Sequence, residues 1–473
     1  MDVDTFPVII QGGMGIGVSS WPLARAVALQ GQLGVVSGTA LDNLLIRRLQ
    51  DGDLGGHIRR AMEAFPSASV ASETLQRFFR PEGRVEGEPY ALVPMYRQAV
   101  DSFRNQLTVL ANFVEVWLAK EGHDGKVGIN FLSKVQMPTL PSLYGAMLAG
   151  VDYVLMGAGI PREIPGALDA LAKHEPSSIH FDVLGAGEEK EERLSFDPRE
   201  FFQGLLPQLN RPKFLPIVSS NSLATMLARK ANGRVDGFIV EGPNAGGHNA
   251  PPRGEKRLNE RGEPVYGERD AVDLGKLSNL GLPFWLAGGT GHPGQIEEAR
   301  KAGGVGIQVG TLFAYCRESG LVEGLKKAVL DMCKMGEVEV RTEERASPTG
   351  FPFKTVGLQT SLSCTETYES RQRVCDLGYL RVPFRQGNGR IGYRCPAEPV
   401  RTFLAKGGSK AETEGRKCLC NALLANVGHA QPRGSGVAEA PLLTSGDDLK
   451  TLGEFLQGRD SYSARDVIDY LLS

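Results

Sequence analysis

The chain has no surplus of charge of either sign: 53 Lys and Arg stand against 55 Asp and Glu in 473 residues, a net of -2. Without a basic field, nucleic acid and anionic membrane surfaces are poor partners, and a small-molecule substrate is expected. No run of about 18 apolar residues that could span a bilayer occurs, and the start, MDVDTFPVII, lacks the basic stretch of a secretion signal. A cytoplasmic protein is expected. Low-complexity tracts and solenoid periods are missing as well. Seven cysteines, an odd number without a secretion signal, argue against a disulfide framework and for reduced thiols or a metal site. No C-x2-C pair occurs among them, so they do not form a zinc ribbon.

What the chain does have is 41% hydrophobic residues, enough for a large core, and a length that suits one big domain with additions or about two to three domains. Eight short apolar runs punctuate the first 340 residues: PVIIQ from Pro7, LGVVS from Leu33, VGINF from Val127, DYVLM from Asp152, FLPIV from Phe214, GFIVE from Gly237, PFWLA from Pro283 and VGIQV from Val305. The runs are nearly continuous rather than alternating, which is the pattern of strands buried on both faces. Most lead through a Gly- or Ser-containing loop into a helical segment such as WPLARAVALQ or PGQIEEARKAG. Eight such alternations predict an α/β fold, a closed (β/α)8 barrel of the TIM type over residues 1–340. The spacing is broken at about 41–125, where helical patterns run without a strand, and a helical insertion is expected there. SIHFDV from Ser178 resembles a ninth strand but precedes the charged run EEKEER, so it is assigned to an insertion with a solvated turn. Residues 341–473 lose the pattern and predict an irregular, Cys-containing C-terminal extension.

Active sites of such barrels form at the C-terminal ends of the strands. The residues there are QGGMGIG after run one, Asn130 in NFLSK after run three, GAGIP after run four, Ser219 and Ser220 after run five, NAGGHNA after run six, AGGTGHPGQ after run seven and Gly310–Thr311 after run eight. The last two turns each lead toward a helix, and backbone N–H groups there, aided by a helix N-terminus, predict a cofactor phosphate site.

Six motifs, QGGMG, GINFL, LAGVDYVLMGAGIP, VDGFIVEGPNAGGHNAP, LAGGTG and IQVGTLF, occur in an order and spacing that resembles the nitronate monooxygenase family, formerly 2-nitropropane dioxygenases, over roughly residues 6–320. Flavin-dependent enoyl reductases and some flavin NAD(P)H:quinone reductases are similar on the same barrel. The resemblance implies an FMN cofactor, with Gly12, Gly13, Met14 and Asn130 against the flavin and Gly288, Gly289, Gly310 and Thr311 at its phosphate, with Gln308 nearby. Ser219 joins the cofactor set by its place after run five. Gly246 and Gly247 would bring the loop close to the ring system, and His248 is implied as the catalytic residue.

A neutral imidazole can take a proton from carbon beside a nitro group, and its protonated form can stabilise a nitronate or enolate oxygen. The expected activity is an FMN-dependent oxidoreductase oxidising alkyl nitronates with O2 to a carbonyl compound and nitrite. The alternative is an NAD(P)H-dependent enoyl thioester or quinone reductase, for which an acyl-carrier protein becomes a partner; a third is a non-catalytic flavin-binding subunit. A homo-oligomer is compatible with all three. His292 is read as a helix-start residue, Lys354 in SPTGFPFK as a solvated charge on a loop near the site, and Arg253, Lys256, Arg257 and Arg261 as a solvated loop with an acyl-carrier or nucleotide phosphate as the alternative.

Five of the seven cysteines lie in the extension: Cys364, Cys375, Cys395, Cys418 and Cys420, spaced x10, x19, x22 and x1. Cys375, Cys395, Cys418 and Cys420 are candidate ligands for zinc or an iron–sulfur cluster, against the alternative of buried reduced thiols. Basic neighbours in YRCPAEP and RKCLCN are expected to lower thiol pKa values.

Overall fold

Each of the eight apolar runs is a strand: β1 (Ile9–Gln11), β2 (Gly34–Ser37), β3 (Val127–Leu132), β4 (Tyr153–Gly157), β5 (Lys213–Val218), β6 (Phe238–Glu241), β7 (Phe284–Ala287) and β8 (Gly306–Val309). The computed structural model describes residues 6–185, 191–200, 207–434 and 437–473. All the pairings are parallel, in the spatial order β1-β8-β7-β6-β5-β4-β3-β2. The ring closes between β1 and the residue before β2, where Ile10 bridges Leu33 in parallel. This seam is short, and Gln11 reinforces it: its side chain is fully buried, accepts from the Val35 N–H at 3.0 Å and donates to Ser19 Oγ at 2.8 Å. The result is the expected TIM barrel.

Inside the ring Ile10, Leu33, Val35, Leu155, Leu215, Ile239 and Trp285 pack together, which is why the strands are apolar on the inward face as well as under the helices. Trp285 Nε1–H donates to the Pro7 carbonyl at 2.7 Å, so the one polar atom of this large buried ring is satisfied.

The insertion between β2 and β3 is helical, as its spacing predicts: Leu41–Gln50, His57–Glu63, Ala68–Phe78 and Ser102–Lys120. The last of these is buried along most of its length and packs on the helix Thr139–Leu148 that follows β3. The insertion is locked by a buried ion pair, Arg104 with Asp42, whose carboxylate also accepts from Tyr379 Oη of the C-terminal segment.

Ser177–His180 pairs antiparallel with Arg193–Phe196 outside the barrel, in agreement with an insertion rather than a ninth barrel strand. Residues 188–190 of EEKEER lie outside the described residues. Its end is not a solvated turn: Arg193 pairs with Glu163 at 3.0 Å, and Glu192 accepts from Gln98 Nε2 at 2.9 Å and pairs with Arg385. Charge in sequence is solvated only until a tertiary partner covers it.

Residues beyond 340 do not stand apart. Val340–Glu343 pairs with Phe353–Val356, and the final helix Ala464–Leu472 packs against Trp21–Ala28, the helix between β1 and β2. No described helix is long and apolar enough to cross a membrane.

Candidate active site

At the C-terminal ends of the strands lies a cleft with two lobes of about 150 and 170 Å3, which share Gly13, Gly15, Glu241, Gly246, Gly247, Gln308 and Thr444 as common wall. The loops after β1, β7 and β8 bring Gly12, Met14, Gly288, Gly289, Gly310 and Thr311 into the first lobe. The second holds Asn130, Gly157, Ile217, His248 and Phe353. Every residue assigned to the cofactor from sequence lines one lobe or both except Ser219. Ser219 lines neither, and its carbonyl accepts from Arg253 Nη2 at 2.6 Å.

Two observations say what the walls are prepared for. Asn130 Oδ1 and Gln308 Oε1 are buried without a hydrogen-bond partner among the described residues, an expensive condition for amide oxygens unless a ligand supplies donors. Gly13 passes so close to Asn130 that an added Cβ would stand 2.3 Å from the Asn130 Cβ, so any larger residue would push Asn130 out of the cleft. The glycine turns after β7 and β8, expected to receive a phosphate, are followed by helices of only seven and four residues, Gln295–Lys301 and Thr311–Ala314. The expected helix N-terminus therefore contributes little, and an anion there would depend on turn backbone and the Thr311 hydroxyl.

His248 follows β6 by way of Gly246 and Gly247. Its Nε2 is 2.7 Å from Ser347 Oγ, and its ring meets Phe353 edge-on with centroids 4.9 Å apart. A short antiparallel bridge fixes this geometry: Lys354 N–H donates to the Gly247 carbonyl and Asn249 N–H to the Pro352 carbonyl, both at 2.9 Å. SPTGFPFK therefore does reach the site. Lys354 itself is not the solvated charge its sequence suggests. It is buried, and its Nζ donates to Thr342 Oγ1 at 3.0 Å and to Asp447 at 3.1 Å. His292, ahead of the helix Gln295–Lys301, stands 3.5 Å from Asp448.

Burial pushes the His248 pKa down to about 4, so near neutral pH the ring is uncharged. Burial also pushes Glu241, the last residue of β6, up to about 8, so it is mostly protonated there. Glu241 lines both lobes and was not singled out from sequence, where it is simply the polar end of GFIVE. Only the closure of the cleft around it separates it from an ordinary strand-end carboxylate.

The C-terminal segment supplies a wall that sequence did not disclose. Thr444 Oγ1 accepts from the Gly247 N–H at 2.7 Å, Gly446 N–H donates to Thr311 Oγ1 at 2.9 Å, and Asp447 N–H donates to the Asn244 carbonyl at 2.9 Å. Asp448, also in the wall, accepts from the Gly291 N–H at 3.1 Å. Burial raises its pKa, and His292 opposes that rise. TSGDDL has no periodicity and no motif, so nothing local marks it.

Cys375, Cys395, Cys418 and Cys420 come together around one cavity, while Cys364 stays apart with Gln359 and Glu366. All seven cysteines are free thiols. The expected lowering of thiol pKa does not occur. Burial raises all four, Cys375 to about 12; neighbouring cysteines add to the rise for Cys375, Cys395 and Cys420, and Glu439 adds to it for Cys418.

The family model described as nitronate monooxygenase matches residues 196–348. The match takes in β5 to β8, the histidine loop and Ser347; the motifs of β1, β3 and β4 lie outside it. No curated protein matches the chain in sequence. Among solved structures, FabK from Thermotoga maritima aligns at 17% identity with a TM-score of 0.46, covering 99% of this chain and 91% of that one. Nitroalkane oxidase from Streptomyces ansochromogenes aligns at 15% and 0.45, covering 99% and 95%. The enoyl reductase domain of MlnA from Bacillus amyloliquefaciens aligns at 11% and 0.48, covering 98% and 92%. These likenesses are too distant to bear on chemistry. The matched segment, which carries four barrel strands and the Gly-Gly-His loop, is similar to the nitronate monooxygenase family.

Proposed function

We propose that the protein is an FMN-dependent oxidoreductase that oxidises alkyl nitronates, with His248 as the residue that meets the substrate. The observation that carries this reading is the cleft itself. Glycine turns at the ends of β1, β7 and β8 and two unpaired buried amide oxygens line a space joined to His248, the only histidine among the described residues of its wall.

The residues suit a flavin mononucleotide. Asn130 and Gln308 would meet its hydrogen-bonding edge, Gly12, Gly13 and Met14 would lie against it, and Gly288, Gly289, Gly310 and Thr311 would receive its phosphate. The Thr311 oxygen already accepts from Gly446, which leaves its O–H to donate. Asp448 in the same wall would repel a phosphate as a free carboxylate; the Gly291 N–H, at 3.1 Å, and His292, at 3.5 Å, engage its oxygens and offset part of that charge. When bound, the flavin supplies the electron acceptor for the substrate carbon.

What the chain does is bind, orient and hold protons. His248 Nε2 is engaged by Ser347, so Nδ1 is the ring nitrogen free to accept or donate toward substrate, as the tautomer dictates. An uncharged imidazole can accept a proton, but a conjugate acid held near pKa 4 makes it a weak base toward a neutral nitroalkane. A nitronate arriving as the anion would instead be oriented by hydrogen bonding alone. Phe353 fixes the ring plane and, with Ile217 and Leu423, keeps that side of the lobe apolar.

Glu241 favours a second reading, an NAD(P)H-dependent reductase of enoyl thioesters. That reaction must deliver a proton to carbon, and a carboxyl held neutral in the cleft is a suitable donor. Nitronate oxidation has no such need.

Anaerobic titration of the purified protein separates the readings. Bleaching of flavin absorbance by propane-2-nitronate, followed by nitrite release in air, is the expected result. Bleaching by NADPH or NADH alone, with no response to the nitronate, would transfer the assignment to the reductase. Protein that neither carries nor takes up flavin would overturn both. In His248→Asn, kcat/KM for the active substrate should fall by about 10²–10⁴ with flavin content retained; parent-like turnover would remove His248 from catalysis.

A further inference from the structure

Four of the five cysteines of the C-terminal extension, separated by 19, 22 and 1 residues in sequence, line a single cavity. Three separate pieces of chain deliver them. Cys375 comes from the loop after the helix Thr365–Ser370, and Cys395 directly follows the strand Ile391–Arg394. Cys418 and Cys420 bracket the start of the helix Leu419–Ala425. Buried thiols often act only as small apolar side chains, and two features speak against that here.

The first is a hydrogen bond to sulfur. Asn421 Nδ2–H donates to Cys418 Sγ at 3.6 Å. Amide donors directed at sulfur stabilise thiolate, the form that binds metal, and gain little from a neutral thiol. The second is the cavity itself. A void of about 10 Å3, room for about one water, remains beside the sulfurs, whereas a core built for packing alone closes such voids because each one costs stability. Arg381 borders the cavity and sets a positive charge beside it, while Glu398, also in the wall, is paired with Lys406 at 2.7 Å.

The nature of the centre follows from how far apart the ligands stand. A single tetrahedral zinc ion at about 2.3 Å from each sulfur draws the sulfurs to within roughly 3.8 Å of one another. Among the described residues no three His, Cys, Asp or Glu side chains come together closely enough to hold one metal ion. Four thiols that share a cavity yet do not converge on a point match a polynuclear centre, in which the thiolates bind different metal atoms.

We propose that Cys375, Cys395, Cys418 and Cys420 hold an iron–sulfur cluster. The centre lies just behind the candidate active site. Pro348, in the cavity wall, follows Ser347, the partner of His248. The helix that starts at Cys418–Cys420 presents Leu423 to the cleft, and its rise from Cys420 to Leu423 is about 4.5 Å. Assembly takes sulfide, deprotonation of four thiols and iron of which at least half is supplied as ferric ion, so that no further oxidant is needed and the proposal does not depend on the flavin assignment.

The full-length protein, purified without oxygen, is assayed for iron, acid-labile sulfide and zinc, and by electron paramagnetic resonance before and after dithionite. Iron and sulfide in equal amounts, about two to four of each per chain, and a signal that appears or disappears on reduction are expected. Cys395→Ala should lose most of the iron, and Cys364→Ala, outside the cavity, should keep it. One zinc per chain with no labile sulfide would overturn the cluster in favour of a single ion. Full-length protein free of metal after anaerobic iron and sulfide reconstitution would overturn any metal at this site. The parent protein alone decides both points if Cys395→Ala does not fold, and flavin content, measured separately, reports on the cleft.

Discussion

Glu241 and His248 are held away from their ordinary protonation by the same cause, burial in the cleft, and the consequences for stability have opposite directions. Glu241 titrates near 8 in the folded chain and near its ordinary value of 4.5 when unfolded. Its contribution is fully present below about pH 4.5 and lost as pH rises through 8. Glu241→Gln should therefore be more stable than the parent at pH 8–9, by up to a few kcal/mol, with the difference closing toward pH 4.5; chemical denaturation across that range measures it. A difference that does not change with pH would mean the carboxyl is already ionised at neutral pH. His248, lowered to about 4 from 6.5, contributes stability that is present above pH 6.5 and lost as pH falls through 4. His248→Asn should flatten that acid limb of the stability profile and leave the alkaline limb as in the parent.

Among the elements, the strands and the loops that leave them obey different constraints. The strands were legible because burial on both faces demands unbroken apolar runs, and the glycine turns after β1, β6, β7 and β8 were legible because close approach demands glycine. The turn contributed by Ser445 and Gly446 was not, because its role comes from what it touches. A Cβ on Gly246 would lie 2.8 Å from the Gly446 nitrogen, backbone that cannot rotate aside. Gly246→Val should accordingly displace residues 444–448, lower bound flavin severalfold and destabilise by about 1–3 kcal/mol. Flavin content and a denaturation midpoint equal to the parent's would show that the turn yields without cost. Helix length is likewise decided by context: Gln295–Lys301 and Thr311–Ala314 are too short to act as the strong dipoles that their preceding glycine turns suggest.

For the whole molecule, the C-terminal segment is a structural partner of the barrel rather than a detachable appendage. Thr444, Ser445, Gly446 and Asp448 line the first lobe, and Leu442, Leu443, Leu449 and Leu452 are buried in the clusters beneath. A chain ending at residue 436 should lose flavin binding, and exposure of the apolar surface beneath should lower its solubility. A soluble truncated chain with parent flavin content and turnover would show that the barrel completes the site alone. The ion pair of Arg104 with Asp42, almost fully buried and tied to Tyr379, joins the helical insertion to that same segment. Arg104→Met leaves the Asp42 charge uncompensated and should cost about 3–5 kcal/mol in thermal or denaturant unfolding. A loss below about 1 kcal/mol would mean that water reaches the carboxylate.

By itself the sequence determined the eight strands, their closure into a barrel, the helical insertion and most of the glycine and histidine positions at the strand ends. Those features are set by short-range demands, period and burial within a run and the absence of a side chain at a turn, that each residue expresses where it stands. Tertiary structure alone decided the protonation of Glu241 and His248, the burial of Lys354, the use of Thr444–Asp448 as a wall and the convergence of four cysteines across 46 residues of chain. Each of these depends on which distant segment excludes water from a group or faces it, and no local pattern carries that information.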